Sequence, residues 1–405
     1  MRFRRLFGAL ATPLLPGLVS ALLLAGEPAA AQSDIFTVRA VPVDKTAETA
    51  AAARQAAITA GHQRAFELLV DRLVPAAQQG KVPVLGPGLV EFYVRDFSVN
   101  NERTSAVRYL ADLTFRFNAE EVRALLRNSS VGFAETRSKP LLVLPVYDHG
   151  DGSAPRLWLE PNPWRTGWSQ GPSSDGLVPL RIPLGDLSDV AAIDAQRALD
   201  GDPAGLSAIA NAYGAGAVLV SKATLTGDPE VGSAQLAITS RRYEVGRQGA
   251  ITRENFTQLP NASPSAFFAR VAGLVNATLQ ENWKQQNVLQ FGNSRSIVVF
   301  VPLGGLSDWL EVRKRIDGIA AIQNVGVTTL SRGQAEMQIS FLGDEQRLTR
   351  ALAQRDLFLS LRDDSNWELT LEGAARGTGG TAIPQAPGSQ VPPPQAPPPE
   401  APAAQ

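Results

Sequence analysis

The residues best suited to chemistry are Asp148, His149 and Asp151, in the string Tyr147-Asp148-His149-Gly150-Asp151 directly after an apolar run. Two carboxylates flanking an imidazole can ligate a metal ion or move the imidazole's proton affinity. The end of a buried strand is also where open α/β sheets place their ligands. The same residue types make ordinary turns, because Asp and Gly bend and satisfy the backbone locally. Two readings follow: candidate metal ligands of a metal-assisted hydrolase, or a turn. The second histidine, His62, falls inside an alanine-rich helical segment, where a surface or half-buried position accounts for it without function.

A second constellation is Trp158, Asn162, Trp164, Arg165 and Trp168, which places three of the six tryptophans within eleven residues of a proline- and glycine-bearing stretch. Exposed, they suit stacking on a sugar ring or anchoring in a partner's apolar groove. Folded inward, they form a small core that pins a long loop onto a sheet. The inward reading is favoured, since large aromatics are highly buried on average.

Little else points to catalysis. The chain has no cysteine, which excludes thiol nucleophiles, thiolate metal sites and disulfides. Phosphate-loop, dinucleotide, nucleophile-elbow and His-Glu-x-x-His motifs are missing. Glu120-Glu121 belongs to a helix start, and Asp363-Asp364 to a hairpin loop. No catalytic residue and no cofactor are therefore expected, and the chain reads as a non-enzyme.

The elements that must position these residues follow from periodicity. Residues 35–43 alternate as a strand, and Asp44 to Thr46 offer caps for an alanine-rich helix reaching about Val74. Its apolar positions, Ala53, Ala57, Phe66, Leu69 and Leu73 among them, recur at three and four. Strands are predicted at 89–99 and 107–117 about an Asn100-Asn101 turn, then a helix capped by Asn118. Residues 140–146 form a continuous apolar run that suits a buried strand. An irregular stretch follows to about 179, then helices near 187–199 and 203–213, strands at 216–226, 234–243 and 249–256, and a helix over 265–290. The last part reads β-α-β-β-α-β from 296 to 371, the split βαβ order. The first part, β-α-β-β-α, would be completed to the same order by 140–146.

The expected fold class is α+β, with three small α/β sandwich domains: 34–136; 140–290, carrying the tryptophan-rich insertion 148–179; and 295–372, the first and last in ferredoxin-like order. The ends look different. Residues 1–31 have a basic start, an apolar core broken by Pro13 and Pro16, and Ala29-Ala30-Ala31, the layout of a cleavable signal peptide rather than a membrane anchor. Its removal takes the net charge from -1 to -3, so composition offers no argument for nucleic acid or an anionic membrane surface. Without cysteine there is no amino-terminal lipid anchor, and the mature chain is expected to be periplasmic, without a transmembrane helix. Residues 374–405 hold nine prolines and two charges, the composition of a disordered tail.

Val41-Pro42-Val43-Asp44 with Ala52-Ala53-Arg54-Gln55-Ala56-Ala57, Leu157-Trp158, Asn162-Pro163-Trp164-Arg165, Trp168 and Tyr213-Gly214-Ala215 resembles the exported proteobacterial family called domain of unknown function 2066. The resemblance spans residues 35–371 and implies an exported protein, with no catalytic residue to carry over. The middle domain alone, from Leu144-Pro145 to Tyr213-Gly214-Ala215-x-Ala217-Val218-Leu219-Val220, looks like the amino-terminal domain of the translocation protein TolB, which implies an envelope assembly module. The leading expectation is a non-catalytic module that binds another envelope protein. A binder of peptidoglycan or another glycan through Trp158 to Trp168, and the metal-assisted hydrolase, are the alternatives.

Overall fold

The computed structural model describes residues 35–86, 88–171, 175–244, 247–289, 294–362 and 366–371. The expected signal peptide at 1–31, the expected proline-rich tail at 374–405 and Asp363-Asp364 lie outside the described residues. Within them the chain is α+β, with three sheets in separate α/β units.

The first unit contains β1 (Thr37–Thr46), α1 (Ala50–Leu73), α2 (Ala76–Gln79), β2 (Val94–Thr104), β3 (Arg108–Phe117) and α3 (Ala119–Asn128), with sheet order β1-β3-β2. The central strand alternates as a half-buried strand should: Tyr109, Ala111, Leu113, Phe115 and Phe117 are buried. Against that face lies α1, close enough that a Cβ at Gly61 would fall 2.8 Å from Leu113 Cδ1. Two expectations are corrected here. The helix starts at Ala50 under a Thr49 cap, because Asp44, Lys45 and Thr46 continue the β1–β3 ladder. Asn100-Asn101 is no turn; β2 runs on to Thr104, absorbing the pair in a register shift with Asn101 at φ 53°. An asparagine tolerates that left-handed backbone in a bulge as well as in a turn.

The middle unit is formed by β4 (Leu141–Asp148), α4 (Pro163–Gln170), β5 (Leu180–Arg181), α5 (Leu187–Ala192), α6 (Ala195–Asp200), α7 (Pro203–Ala212), β6 (Ala217–Thr226), β7 (Gln235–Glu244), β8 (Arg247–Thr257) and α8 (Pro264–Asn287). Its sheet order is β5-β4-β6-β7-β8, with β5, β4 and β6 parallel. So β4 belongs here and does not complete the first sheet. The continuous apolar run of β4 has a direct cause, since both its faces are covered. Leu141, Val143 and Tyr147 join a core with α4 and α8, while Leu142, Leu144 and Val146 join one with α5 to α7. The predicted helix over 187–199 is two helices, broken at Ile193 where Asp194 caps the second.

The last unit contains β9 (Ser294–Pro302), α9 (Leu306–Ile316), β10 (Ile322–Leu330), β11 (Gln334–Leu342), α10 (Glu345–Ala353), β12 (Leu357–Leu361) and β13 (Trp367–Leu371). Sheet order is β10-β11-β9-β13-β12. The connections follow the split βαβ order, but β13 sits between β9 and β12, parallel to β9 at Trp367 and Glu368.

The joint between the first two units is polar and specific. Lys284 of α8 is buried, and its Nζ donates to the carbonyls of Asp71 (2.8 Å) and Val74 (3.0 Å) at the end of α1. A cation there meets the negative end of the helix dipole. Glu281, 2.9 Å from the same Nζ, accepts from the Ala76 amide. Trp283 donates to Thr136 O (2.6 Å).

Candidate functional site

Asn162 is the residue on which the tryptophan segment turns. Its side chain is buried, and Oδ1 accepts from Arg165 N (2.9 Å), capping α4 with Pro163 in the first turn. Nδ2 donates to Pro145 O (3.1 Å) on β4 and to Leu157 O (3.1 Å) in the loop after it. This cap-and-proline pair was a sequence signal for α4, within a stretch expected to be irregular throughout.

From that cap, α4 sends Trp164 and Trp168 into the core beside α8, both almost fully buried. Their rings meet edge to face at 5.6 Å. Trp164 Nε1 donates to Ser221 O (3.0 Å) on β6. Gly167 lies between them against α8, where a Cβ would stand 2.8 Å from the Phe268 carbonyl carbon. Trp158 is half-buried on the other face of the sheet, and its Nε1 donates to Ile193 O (2.6 Å) at the end of α5. The tryptophans therefore fold inward. As a stacking platform Trp164 and Trp168 are corrected: their rings contribute to the core, because α4 seats them between the sheet and α8.

Arg165 faces the other way and joins two loops. Nη1 pairs with Glu160 (3.3 Å) after β4, and Nη2 donates to the Leu184 carbonyl after β5. That second loop is held from the far side. Tyr213 hydroxyl accepts from Leu184 N (2.9 Å) and donates to the buried Asp189 Oδ2 (2.8 Å), which also accepts from Gly185 N. Burial pushes the Tyr213 phenol up, keeping it a donor. Gly185, at φ 76°, takes the left-handed backbone that carries the chain from Leu184 into the Asp186 cap of α5.

These anchors carry exposed leucines. Leu159 is 71% exposed, Leu184 74% and Leu187 89%, with Val190 one helical turn beyond Leu187 at 47%. They lie on the loops leaving the carboxyl ends of the parallel strands β4 and β5 and on the first turns of α5, the end of an open sheet that binds ligands. Sequence reasoning singled out the residues that hold this rim and missed the rim itself. The signal was available: Leu159 stands next to Glu160-Pro161 and Leu184 between Pro183 and Gly185, turn residues beside which an apolar side chain has no strand or helix face to join.

The Asp148, His149 and Asp151 side chains do not converge as a set of three. Asp148 pairs with Lys222 (2.7 Å) and accepts from Gly150 N. Burial pushes its carboxyl up, but Lys222 and the Gly150 amide outweigh that and hold it below the usual carboxylate range. Asp151 accepts from Ser153 N, and with the Ser153 hydroxyl this lowers its carboxyl. His149 Nδ1 meets the Tyr147 hydroxyl at 3.1 Å, and its ring is half exposed. Each group thus serves the turn; among the described residues no set of three or more His, Asp or Glu is arranged to hold a metal ion. His62, expected at a surface or half-buried position, is buried. It packs on Phe115 (4.8 Å) and edge-on to Phe97 (5.6 Å), because the close approach of α1 at Gly61 brings its neighbour against the sheet. Burial lowers its proton affinity, with Glu91 acting weakly against that.

No family model and no curated protein matches the chain. Among solved structures it is similar to the PelC dodecamer from Paraburkholderia phytofirmans, at 14% identity over 36% of this chain and 92% of that chain, with TM-score 0.22. It is likewise similar to the lipoprotein GNA1162 from Neisseria meningitidis, at 15% identity over 35% of this chain and 96% of that one, TM-score 0.22. At such scores function has to be argued from this chain's own residues. Among the described residues no helix is long and apolar enough to cross a membrane.

Proposed function

We propose that the chain is a non-catalytic, periplasmic protein-binding module of the cell envelope, and that its middle unit binds a partner protein through the rim of Leu159, Leu184, Leu187 and Val190. One observation carries this reading: three leucines stand more than two-thirds exposed, Leu159 and Leu184 on loops and Leu187 in the first turn of α5, beside buried and half-buried hydrogen bonds. Apolar side chains fixed toward water carry a solvation cost, and anchors already ordered before binding lose little entropy on docking. The partner chemistry that fits is an apolar groove or helix face, with Arg165 and Glu160 at its polar border. The export signal and the family resemblance read from the sequence support the compartment.

Crosslinked envelope extracts test it. The mature chain should retain a discrete partner that the Leu184→Asp, Leu187→Asp double variant loses while keeping its thermal midpoint. Retention of the same partner by the folded double variant refutes the assignment of the rim.

A further inference from the structure

Both edges of the last unit's sheet lack charge. β10 and β12 carry no Asp, Glu, Lys or Arg, whereas β1 carries Arg39, Asp44 and Lys45, and β2 and β8 carry both signs. Natural edge strands are normally blunted by charge, proline or twist, because an open edge is a template for another strand.

β10 has a further peculiarity in its register. Shifts between Ile322 and Asn324 and between Val327 and Thr329 place Ile322, Val325, Val327 and Leu330 opposite Phe341, Ile339, Met337 and Ala335 of β11. Residues directly opposite share a face, and these β11 side chains are all buried. The two bulges therefore keep the apolar set of β10 on the core side. Yet Val327 is 45% exposed and Leu330 51%. Helix α9 ends at Ile316 without covering them, leaving a groove of about 520 Å³ between its last turn and β10, with Met337 among its lining residues and Arg313, Lys314 and Asp317 in its wall.

We propose that β10 is a self-association edge, at which two copies of this chain pair their β10 strands antiparallel about a two-fold axis. The two sheets then become one, and the second copy's β10 and α9 cover the apolar overhang. A two-fold interface has to be self-complementary, and this groove is. Antiparallel α9 ends set the cations Arg313 and Lys314 of one copy toward the partner's Asp317; Asp317 has no ion pair among the described residues. The uncharged strands meet without like-charge repulsion.

Sedimentation velocity on the full mature chain tests the proposal. The wild type should sediment at twice the chain mass at micromolar concentration, and Val327→Lys at the chain mass with an unchanged thermal midpoint. Phe358→Lys, on the opposite edge β12, should remain a dimer. Because the chain has no cysteine, single Asn324→Cys, Gly326→Cys or Thr328→Cys substitutions report strand pairing directly. At Gly326 a Cβ meets nothing within 4 Å. At least one of the three should form a disulfide-linked dimer under mild oxidation. A monomeric wild type, a Val327→Lys dimer, dissociation by Phe358→Lys, or no crosslink at any of the three positions overturns the proposal.

Discussion

Replacing Asn162 with alanine removes two separable contributions at once. The Oδ1 cap of α4 at 2.9 Å is one, and caps of this kind are worth about 1 kcal/mol. The Nδ2 donor to Pro145 O and Leu157 O is the other, and stranding buried carbonyls costs about 1–3 kcal/mol. Asn162→Ala should therefore destabilise the chain by about 2–4 kcal/mol, a large part of the ~5–15 kcal/mol typical of a domain. Asn162→Ser separates the contributions, because a serine hydroxyl caps a helix well but is too short to bridge to β4. Its loss should fall about 1 kcal/mol below that of alanine. Urea unfolding followed by far-ultraviolet circular dichroism and by tryptophan fluorescence measures both variants, Trp164 and Trp168 being two of the six emitting side chains. An alanine variant within about 0.5 kcal/mol of wild type, the range of an ordinary surface substitution, would falsify the anchoring role. A serine variant as stable as wild type would leave the cap alone responsible.

Three further outcomes follow from the same contacts. Gly167→Val places side-chain carbon against the α8 backbone at Phe268, which no rotamer relieves, and should lower stability by about 1–3 kcal/mol in thermal unfolding. Lys284→Met removes the ammonium from two carbonyls at the end of α1 and should cost about 2 kcal/mol, read as faster amide exchange over residues 71–76. His62 holds a proton less readily in the fold than in the unfolded chain. Below the unfolded value of 6.5 the unfolded state binds more protons, so stability is full above that pH and is lost as pH falls toward the lowered folded value. His62→Gln should flatten the urea midpoint against pH over this window; an unchanged slope contradicts the buried position.

What the sequence revealed, and where it stopped, has physical causes. The apolar run of β4 and the three-and-four spacing of α1 announce themselves because burial acts on side-chain period, whatever the partner elements are. The end of β1 and the turn after β2 were misplaced because Asp44 and Asn101 are turn-forming residues that long-range pairing overrides: Asp44 meets Arg108 across the ladder, and Asn101 sits in a bulge. The tryptophan segment drew attention for the right reason, its excess of apolar surface, but composition says nothing of direction. The Asn162 cap starts α4 and turns Trp164 onto β6, so these rings point inward, while Leu159 and Leu184 stay exposed. Asp148, His149 and Asp151 look like chemistry because turn residues and metal ligands are the same residue types, and the sequence does not show that Lys222, on the neighbouring strand β6, pairs with Asp148.

The leucine rim, rather than the tryptophans beneath it, is the proposed binding surface. A photo-crosslinking amino acid placed at Leu187 in living cells tests this most directly, with Arg253 on β8 as the exposed control position. One dominant protein adduct is expected at Leu187, lost when Leu184→Asp is added, with no such adduct at Arg253. The same adduct from both positions, or none from Leu187 in the folded, exported chain, would contradict it.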